Sequence, residues 1–319
     1  MTVTAQPVSA VNAERILVIK LGALGDFIQA FGPFHSLRKT YPDAHISLLT
    51  TAPFAELARK STWFDSVQLD NRPRFPDISG ALSLRNQLQQ GKYDLVVDLQ
   101  TSDRSSGYRK LFWPQRPLWS GIANGASHKH ENPDRDRMHT MDRQADQLKL
   151  LGIDSAGHVD MGWITSTPVD FPDLSDRYAL LLPGGAAHRP EKRWPAEKYG
   201  DLAVDLATLG LQPVVLGTEA EAAEAAVVQA ACGETLNLIG KTDLFALGAL
   251  AARAEMAVGN DTGPMHLAAV CGCPSVVLFS HASDPALCGP RGPRVAILQN
   301  DRIADISVKQ VVEAAEGIR

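Results

Sequence analysis

The chain has 319 residues, of which 45% are hydrophobic and 21% charged, and its formal net charge is −5. This composition is typical of a globular protein and excludes a disordered or fibrous chain. No apolar run approaches the roughly 18 residues of a membrane-spanning helix, and the absence of a long basic block argues against nucleic acid as a partner. The first residues also lack the apolar core of a signal peptide, so we expect a cytoplasmic protein whose residues 1–13 form a disordered lead-in.

The first half of the chain alternates short apolar runs with segments of helical periodicity. Strands are predicted at 15–20, 45–50, 66–69 and 94–98, and helices at 25–40, 52–60 and 78–91. Runs rich in Val, Ile and Leu predict a parallel sheet that is covered by helices on both faces. The polar stretch 120–140 has no periodicity. It is interpreted either as a disordered surface loop or as a substrate loop that orders on binding.

A second α/β series follows a polar, proline-containing stretch at residues 165–177, which is predicted to be a linker. Strands are predicted at 178–182, 213–216, 235–239, 255–258 and 275–279, and helices at 195–209, 219–231, 244–253 and 264–272. The sequence therefore predicts two doubly wound α/β domains, residues 14–164 and 178–319, facing a central cleft. In such folds ligands bind at the carboxyl ends of the strands.

A glycine turn, G-A-L-G-D, follows the first predicted strand. It lacks the G-x-G-x-x-G spacing of dinucleotide-binding oxidoreductases, which argues against that class. Gly22 and Gly25 permit a tight turn, and Asp26 stands at the start of the next helix, where the helix dipole favours an ionised carboxylate. Such a carboxylate facing a cleft suits a general base, although an ordinary helix-start acid is the alternative.

A basic turn, P-G-G-A-A-H-R-P-E-K-R-W-P, follows the first strand of the second series. After Gly184 it carries four potential cations within six residues, namely His188, Arg189, Lys192 and Arg193. This density of positive charge in a loop after a strand indicates an anion site, and a solvated basic loop is the alternative interpretation.

The run G-N-D-T-G-P-M-H places Asp261, Thr262 and Gly263 directly after another predicted strand, with His266 in the first turn of a helix. Backbone amides at a helix start point towards a bound phosphate. An acid beside such a site is unexpected, so Asp261 is predicted either to pair with Lys192 or to orient a hydroxyl group.

Further polar residues follow other predicted strands. Glu219 or Glu221 would suit ribose hydroxyls, although both are equally consistent with plain helix-start acids. In the first domain, the candidates for binding an anionic acceptor are Arg104, Arg109, Lys110, His128 and Lys129.

The sequence indicates neither a metal site nor a cofactor. Cys271 and Cys273 have no partner pair at metal-ligand spacing, so reduced thiols are the preferred interpretation. The single D-x-D match, residues 134–136, lies in the irregular polar stretch and is interpreted as a coincidence.

In order and spacing, the runs L-G-A-L-G-D-F-I-Q-A-F, K-R-W-P and D-T-G-P-M-H-L-A-A resemble glycosyltransferase family 9, the ADP-heptose:lipopolysaccharide heptosyltransferases of Gram-negative bacteria. The resemblance extends over nearly the whole chain from about residue 14. It implies a GT-B fold of two Rossmann-like domains, with the acceptor bound mainly by the first and the nucleotide sugar mainly by the second. It also implies inverting transfer without a metal. By analogy with many GT-B proteins, the helical C-terminal segment could pack back on the first domain.

The resemblance also assigns roles to individual positions. It implies that Asp26 is the catalytic base, that Lys192 binds the diphosphate, and that Glu219 is the ribose-binding acid. The expected donor contacts are Gly25, Gly184, Arg189, Lys192, Glu219, Asp261, Thr262, Gly263 and His266.

The function implied is transfer of a heptose from ADP-heptose to a lipopolysaccharide core or related anionic glycan, in the cytoplasm and compatible with a peripheral position at the inner face of the inner membrane. Two alternatives stay open at this point. One is a GT-B transferase that uses a UDP- or GDP-linked sugar on a different acceptor. The other is a nucleotide-sugar-binding protein without turnover.

Overall fold

The computed structural model describes residues 10–73, 76–155, 157, 159–186 and 188–318. Its internal contacts divide the chain into two compact units, Met1–Val159 and Asp160–Arg319. Most of the predicted lead-in, residues 1–9, lies outside the described residues. Among the described helices, none combines the length and the apolar character needed to cross a bilayer.

The first unit is a six-stranded parallel sheet with helices between the strands. Its strands are β1 (Arg15–Ile19), β2 (His45–Thr50), β3 (Ser66–Leu69), β4 (Leu95–Asp98), β5 (Leu118–Gly121) and β6 (His128–Lys129). Its α-helices are α1 (Leu24–Ile28), α2 (Phe31–Thr40), α3 (Ala52–Lys60), α4 (Ile78–Gln90), α5 (Asp103–Tyr108) and α6 (Thr140–Lys149). The strand order is β3-β2-β1-β4-β5-β6, which is the order of a Rossmann sheet.

The helix predicted at 25–40 is wrong, and so is the first of the two interpretations of residues 120–140, a disordered loop, whereas ordering on binding stays a prediction. The single helix predicted at 25–40 is two helices, because Pro33 in a continuous helix would clash with the carbonyl of Gln29, whereas it is tolerated in the first turn of α2. The stretch 120–140 is not structureless: it contains β6 and a 3₁₀ turn. Short polar strands at a sheet edge carry no hydrophobic alternation, which explains why the sequence pattern did not reveal β6.

The second unit repeats this architecture. Its strands are β7 (Tyr178–Leu182), β8 (Gln212–Val215), β9 (Leu236–Asn237), β10 (Met256–Asn260), β11 (Ser275–Phe279) and β12 (Val295–Gln299). Its α-helices are α7 (Gly162–Thr165), α8 (Ala196–Thr208), α9 (Ala222–Ala231), α10 (Leu244–Arg253), α11 (Gly263–Val270), α12 (Pro285–Cys288) and α13 (Val308–Glu316). The order β12-β11-β10-β7-β8-β9 matches the first sheet strand for strand.

The ends of the second unit differ from the sequence prediction. The unit begins at Asp160 and therefore includes α7, whose residues were predicted to belong to the first domain and the start of the linker. Helix α7 packs on α10, where the Trp163 ring lies edge-on to the Phe245 ring at 6.2 Å. The final helix α13, for which packing on the first domain was considered, packs on α8 of its own unit. Its Val311 and Ala315 are buried in the core of that unit.

Each sheet has one position where the strand order reverses. In the first unit this switch point lies between β1 and β4, and in the second between β7 and β10. Loops leave a switch point in opposite directions and open a crevice between them, which is where doubly wound proteins bind ligands.

Candidate functional site

The switch point of the first unit is bridged by a buried lysine. Lys20 follows β1, is only 3% exposed, and donates from Nζ to the carbonyl oxygen of Leu99 at 3.1 Å. The amide of Leu21 donates to Gln100 Oε1 at 2.8 Å. The loops after β1 and β4 are therefore tied together by side chains.

Asp26 lies on α1, one residue before a buried aromatic anchor. Phe27 is 1% exposed and stacks on Phe54 with a ring separation of 5.1 Å. Gly22 has φ +114°, and a Cβ there would lie 2.5 Å from the Phe54 ring, so only glycine fits the turn. Because Phe27 and Gly22 fix the turn against α3, the half-exposed Asp26 carboxylate is held on the neighbouring face of α1.

The charges around Asp26 come from side chains. Helix α1 has only five residues, so the helix dipole invoked from the sequence is weak there. Burial lowers the pKa of Lys20 to about 8, and the negative charge of Asp26 partly offsets that effect. Burial also lowers the pKa of Arg143 on α6; the positive charge of Arg135 acts in the same direction and Asp26 opposes it. Lys20 and Arg143 are thus the cations that interact with the Asp26 carboxylate.

A cavity of about 570 Å³ lies at the carboxyl ends of β1, β2 and β3. Its polar lining includes Thr51, Asp70 and Arg72. Arg72 donates from Nη2 to the carbonyl of Leu21 at 2.9 Å, and Asp70 accepts from the Tyr108 hydroxyl at 2.6 Å. The sequence analysis missed these residues, although their position directly after the strand predicted at 66–69 is the same signal that identified Asp26.

None of the five predicted acceptor residues lines this cavity. Arg109 donates to the Asn124 carbonyl, Lys129 pairs with Glu131 at 2.8 Å, and His128 contacts Ser127. Arg104 and Lys110 are exposed. Besides Lys20 and Arg72, the structure brings further cations to this end of the sheet from α6 and from the turn before it, namely Arg143 and Arg135.

Arg135 is the best-held member of that group. It donates from Nη2 to Thr101 Oγ1, directly after β4, at 2.7 Å, and its side chain is 15% exposed. Its Nε is buried and has no hydrogen-bond partner among the residues that the structure describes. This unused donor is the feature expected of a side chain that binds an anion.

The switch point of the second unit is bridged by a buried amide. Asn260, at the end of β10, is fully buried and donates from Nδ2 to the carbonyls of Pro183 and Gly184 at 2.8 and 3.0 Å. Its Oδ1 accepts from the Trp194 amide at 3.0 Å and from the Tyr199 hydroxyl at 3.2 Å. One side chain thus fixes both ends of the basic turn, a role that the sequence analysis did not assign.

Lys192 and Asp261 form an ion pair at this switch point. Lys192 Nζ lies 2.7 Å from Asp261 Oδ2, and the two side chains are only 14% and 9% exposed. The Ser283 hydroxyl donates to the same oxygen at 2.7 Å. The pairing predicted from the sequence is therefore present, and it holds the lysine beside Thr262 at the start of α11.

Next to this pair is a cavity of about 470 Å³, a volume typical of small-molecule sites. It lies at the carboxyl ends of β7 and β8 and the start of α11. Its lining includes the predicted donor residues Gly184 and Thr262, together with Glu221 and the apolar side chains of Leu216, Leu244 and Leu247. The lining thus combines backbone-rich turns, two acids (Glu221 and Asp243) and an apolar wall.

Of the two glutamates considered from the sequence, Glu221 lines this cavity and Glu219 lies elsewhere; the second acid in the lining, Asp243, caps α10 through the Ala246 amide. Glu219 is exposed and lines a separate depression with Asn237 and Lys241. Glu221 is 7% exposed and accepts from the amide and the hydroxyl of Thr218 at 2.9 and 2.8 Å. Glu221 closes the capping box of its 3₁₀ turn, which holds its carboxylate at Thr218, whereas the Glu219 carboxylate lies beside Gly240.

The remaining predicted donor residues occupy different settings. Arg189 is exposed at the start of the 3₁₀ turn Pro190–Lys192, whereas His266 is 7% exposed on α11. Gly263 opens α11, and Gly25 lies on α1. Among the described residues no cluster of His, Cys, Asp or Glu has the arrangement of a metal site.

Comparison with known proteins is consistent with this geometry. The sequence profile of glycosyltransferase family 9 (heptosyltransferase) matches residues 133–315, more than half of the chain. The lipopolysaccharide heptosyltransferase 2 of Salmonella typhimurium is 27% identical over 295 residues, covering 84% of this chain and 83% of that protein. The lipopolysaccharide core heptosyltransferase OpsX of Haemophilus influenzae is 22% identical, covering 84% and 79%.

Solved structures share the fold. A family 9 glycosyl transferase from Veillonella parvula aligns with a TM-score of 0.78 at 24% identity, covering 98% of this chain and 99% of that one. The E. coli heptosyltransferase WaaC with ADP aligns with a TM-score of 0.80 at 20% identity, covering 96% and 100%. The two Rossmann-like units are those of a GT-B protein, and the chain belongs to glycosyltransferase family 9.

Proposed function

We propose that this enzyme transfers a heptose from ADP-heptose to a lipopolysaccharide core acceptor, with inversion at the anomeric carbon and without a metal ion. The observation that carries the proposal is the nucleotide-sized cavity at the second switch point, with the Lys192–Asp261 pair beside it. The heptosyltransferases among its relatives and the solved WaaC structures with ADP and with ADP-2-deoxy-2-fluoro heptose support this choice of donor.

In this proposal the second unit binds the donor. The apolar wall of Leu216, Leu244 and Leu247 accommodates the adenine, and the Glu221 carboxylate accepts from the ribose hydroxyls. Lys192 and the amides at the start of α11 bind the diphosphate, since a cation and a helix N-terminus both stabilise phosphate oxygens. Arg189, on the same basic turn, supplements that charge.

The first unit binds the acceptor and supplies the base. Arg72, Arg135 and Arg143 hold an anionic sugar through charge-assisted hydrogen bonds, which suits the acidic inner core. Because none of them lines the cavity, we assign at most a peripheral role in acceptor binding to Arg104, Arg109, Lys110, His128 and Lys129. Asp26 accepts the proton of the attacking hydroxyl.

The reaction is an in-line displacement. The acceptor oxygen forms a bond to the anomeric carbon as the bond from that carbon to the ADP oxygen breaks, so the configuration inverts. The acceptor proton passes to Asp26, and the negative charge that develops on the leaving diphosphate is stabilised by Lys192 and the α11 amides. Positive charge supplied by the protein does the work that a divalent cation does in other transferases.

Lipopolysaccharide precursors are bound to the membrane, so the proposed acceptor lies at a membrane surface. Donor nucleotides are cytoplasmic, so we place the enzyme in the cytoplasm, at the inner face of the inner membrane.

The test is turnover with a defined acceptor. The enzyme is incubated with ADP-heptose and heptose-deficient, deacylated lipopolysaccharide core, and ADP release, product mass and the anomeric configuration are measured in the presence of EDTA. We expect one heptose added with inversion, and no product with Asp26→Asn. Transfer from a UDP- or GDP-linked sugar instead, or donor binding without transfer or hydrolysis, would contradict the proposal.

A further inference from the structure

The first unit exposes three large apolar side chains in one neighbourhood. Ile78 and Leu82 on α4 are 67% and 51% exposed, and Trp113 is 59% exposed. Arg85 Nη2 and Gln89 Nε2 donate to the Trp113 carbonyl at 2.9 and 2.7 Å, which joins the tryptophan to α4. We call the surface formed by Ile78, Leu82 and Trp113 the apolar face.

Helix α4 is apolar on two sides. Leu84 and Leu88 are buried in the core of the first unit. Ile78, Ala81 and Leu82, at spacings of three and four residues, form a second apolar stripe that lines an open groove with Pro73 and Leu111. A soluble helix normally carries polar residues on the side away from the core, so this second stripe needs a partner to cover it.

The charge near the apolar face is predominantly positive. Residues 77–92 and 103–118 contain six basic residues against two acids, Asp77 and Asp103, in a chain whose net charge is −5. The six are Arg85, Lys92, Arg104, Arg109, Lys110 and Arg116. Asp77 and Arg85 both line the groove, and the Arg116 guanidinium lies over the Trp113 ring, 4.8 Å from its centroid. Exposed apolar side chains with an excess of cations beside them are complementary to a surface with a hydrocarbon interior and negative headgroups.

The groove and the cavity after β1, β2 and β3 are lined by neighbouring residues of the chain. Arg72 lines that cavity and the next residue, Pro73, lines the groove. Arg104 donates from Nη1 to the Pro73 carbonyl at 3.4 Å. A lipid-anchored acceptor bound in the cavity therefore has a route along the protein surface to the apolar face.

We propose that the apolar face docks on an anionic lipid bilayer, with Ile78, Leu82 and Trp113 entering the interfacial region and the surrounding arginines and lysines binding lipid phosphates. Tryptophan favours this depth because its ring is apolar and its N–H is polar, and arginine can bury its stem while its guanidinium stays at the headgroups. The inference rests on the proposed function for the identity of the acceptor, which gives the enzyme a reason to work at a membrane.

The experiment measures binding of the full chain to vesicles of phosphatidylcholine with and without phosphatidylglycerol. We expect flotation with the anionic vesicles, little with neutral ones, and weaker binding as salt increases. The variant Leu82→Ser/Trp113→Ser should bind anionic vesicles at least tenfold more weakly. Leu209→Ser is the matched control, because Leu209 is 48% exposed on the second unit.

A second pair of variants tests the charge. Arg116→Gln should weaken binding severalfold, whereas Lys309→Gln, at a lysine that is 84% exposed on α13, should not. Trp113 is far more exposed than the buried Trp63, Trp119 and Trp194, so anionic vesicles should protect part of the tryptophan fluorescence from acrylamide quenching, and Trp113→Phe should abolish that protection.

Several outcomes would overturn the inference. They are failure of the wild type to bind anionic vesicles, equal binding by the double variant, and a concentration-dependent dimer that the double variant disperses. Turnover on the deacylated acceptor, measured without vesicles, should be unchanged in the double variant. Loss of vesicle binding with intact turnover defeats only the docking inference, and vesicle binding without turnover in the wild type defeats only the proposed function.

Discussion

The two units share one strand order, yet their switch points are held together by different chemistry. In the first unit a buried cation, Lys20, ties the loop after β1 to Leu99. In the second a buried amide, Asn260, ties β10 to Pro183 and Gly184. The amide is neutral and fully hydrogen-bonded, so its clamp is independent of pH. The lysine lies among charges that titrate, and the difference shows how one topology supports a rigid site and an electrostatically tuned one.

The two sites also differ in how they are encoded. The second-unit site combines the runs 183–194 and 260–264 with the intervening segments 216–221 and 242–247, and all of them fall within the part of the chain that the family profile matches, 133–315. The cavity near Asp26 draws on short segments after three separate strands, all outside that match. The family profile thus covers most of the proposed donor unit, and the cavity of the proposed acceptor unit lies outside it.

The largest expected effect is on the base. Asp26→Asn should lower kcat by about 10²–10⁴-fold, because an amide cannot accept the acceptor proton. The affinity for ADP, measured by calorimetry, should change less than twofold if the units divide the work as proposed. Asp43→Asn, at an exposed acid of the same unit, is the control. Wild-type turnover in Asp26→Asn would remove the base from the mechanism.

The largest expected effect on the free energy of unfolding comes from the amide clamp formed by Asn260. Asn260→Ala removes four hydrogen bonds from a fully buried position and leaves their partners unsatisfied, at a cost of about 3 kcal/mol in the free energy of unfolding. Urea denaturation measures this loss, and ADP should no longer raise the stability fully, because the basic turn is released. A variant as stable as the wild type would show that the turn is held by other contacts.

The charged groups around Lys20 should instead make the free energy of unfolding depend on pH. Burial raises the pKa of Asp98 to about 6, against hydrogen bonds from the Thr101 and Gln100 amides and the charge of Lys20. Between pH 4 and 6 the folded state then binds more protons than the unfolded state, so the free energy of unfolding falls as pH rises, by about 2 kcal/mol, and levels off above pH 6. Urea unfolding across this range measures the slope.

Asp98→Asn provides the matched comparison for that slope. An amide can still accept from the two backbone amides through its oxygen, but it does not titrate. Asp65 and Asp146 have lowered pKa values, so their contributions make the free energy of unfolding rise with pH. Subtracting the variant's free energy of unfolding from that of the wild type at each pH cancels these contributions. Identical pH profiles for the two proteins would contradict the assignment.

The smallest expected effect is on ADP affinity, and it distinguishes Glu221 from its neighbour Glu219. Glu221→Gln should weaken ADP binding about tenfold, since the carboxylate lining the cavity makes charge-assisted hydrogen bonds to the ribose. Glu219→Gln should leave ADP affinity unchanged, because Glu219 lines another depression. Titration calorimetry with both variants decides between them, and the reverse pattern would restore the role that the sequence assigned to Glu219.

The fold was largely predictable because its buried strands are continuous apolar runs, and eight of twelve strands lie in the interiors of their sheets. The strands β5 and β6 were not predicted, since runs of four and two residues show no hydrophobic periodicity, and the edge strand β12 was missed as well. The boundary at Asp160 was not predicted because the short α7 belongs to the second unit only through tertiary packing on α10. Asp26, Lys192 and Asp261 could be found because they follow strands within recognisable runs. Arg135 and Arg143 could not, because no sequence spacing reveals that Arg135 bonds to Thr101 or that Arg143 interacts with Asp26.

The central claim, an ADP-linked donor on the second unit, is tested most directly by thermal unfolding of the wild type and Lys192→Ala with ADP, UDP, GDP, CDP and NAD. A ligand that binds the folded state raises the unfolding temperature by mass action. ADP should raise it most in the wild type and have little effect in Lys192→Ala. An equal or larger shift with UDP or GDP would contradict the ADP-heptose donor, and a response to NAD alone would contradict the transferase function of the site.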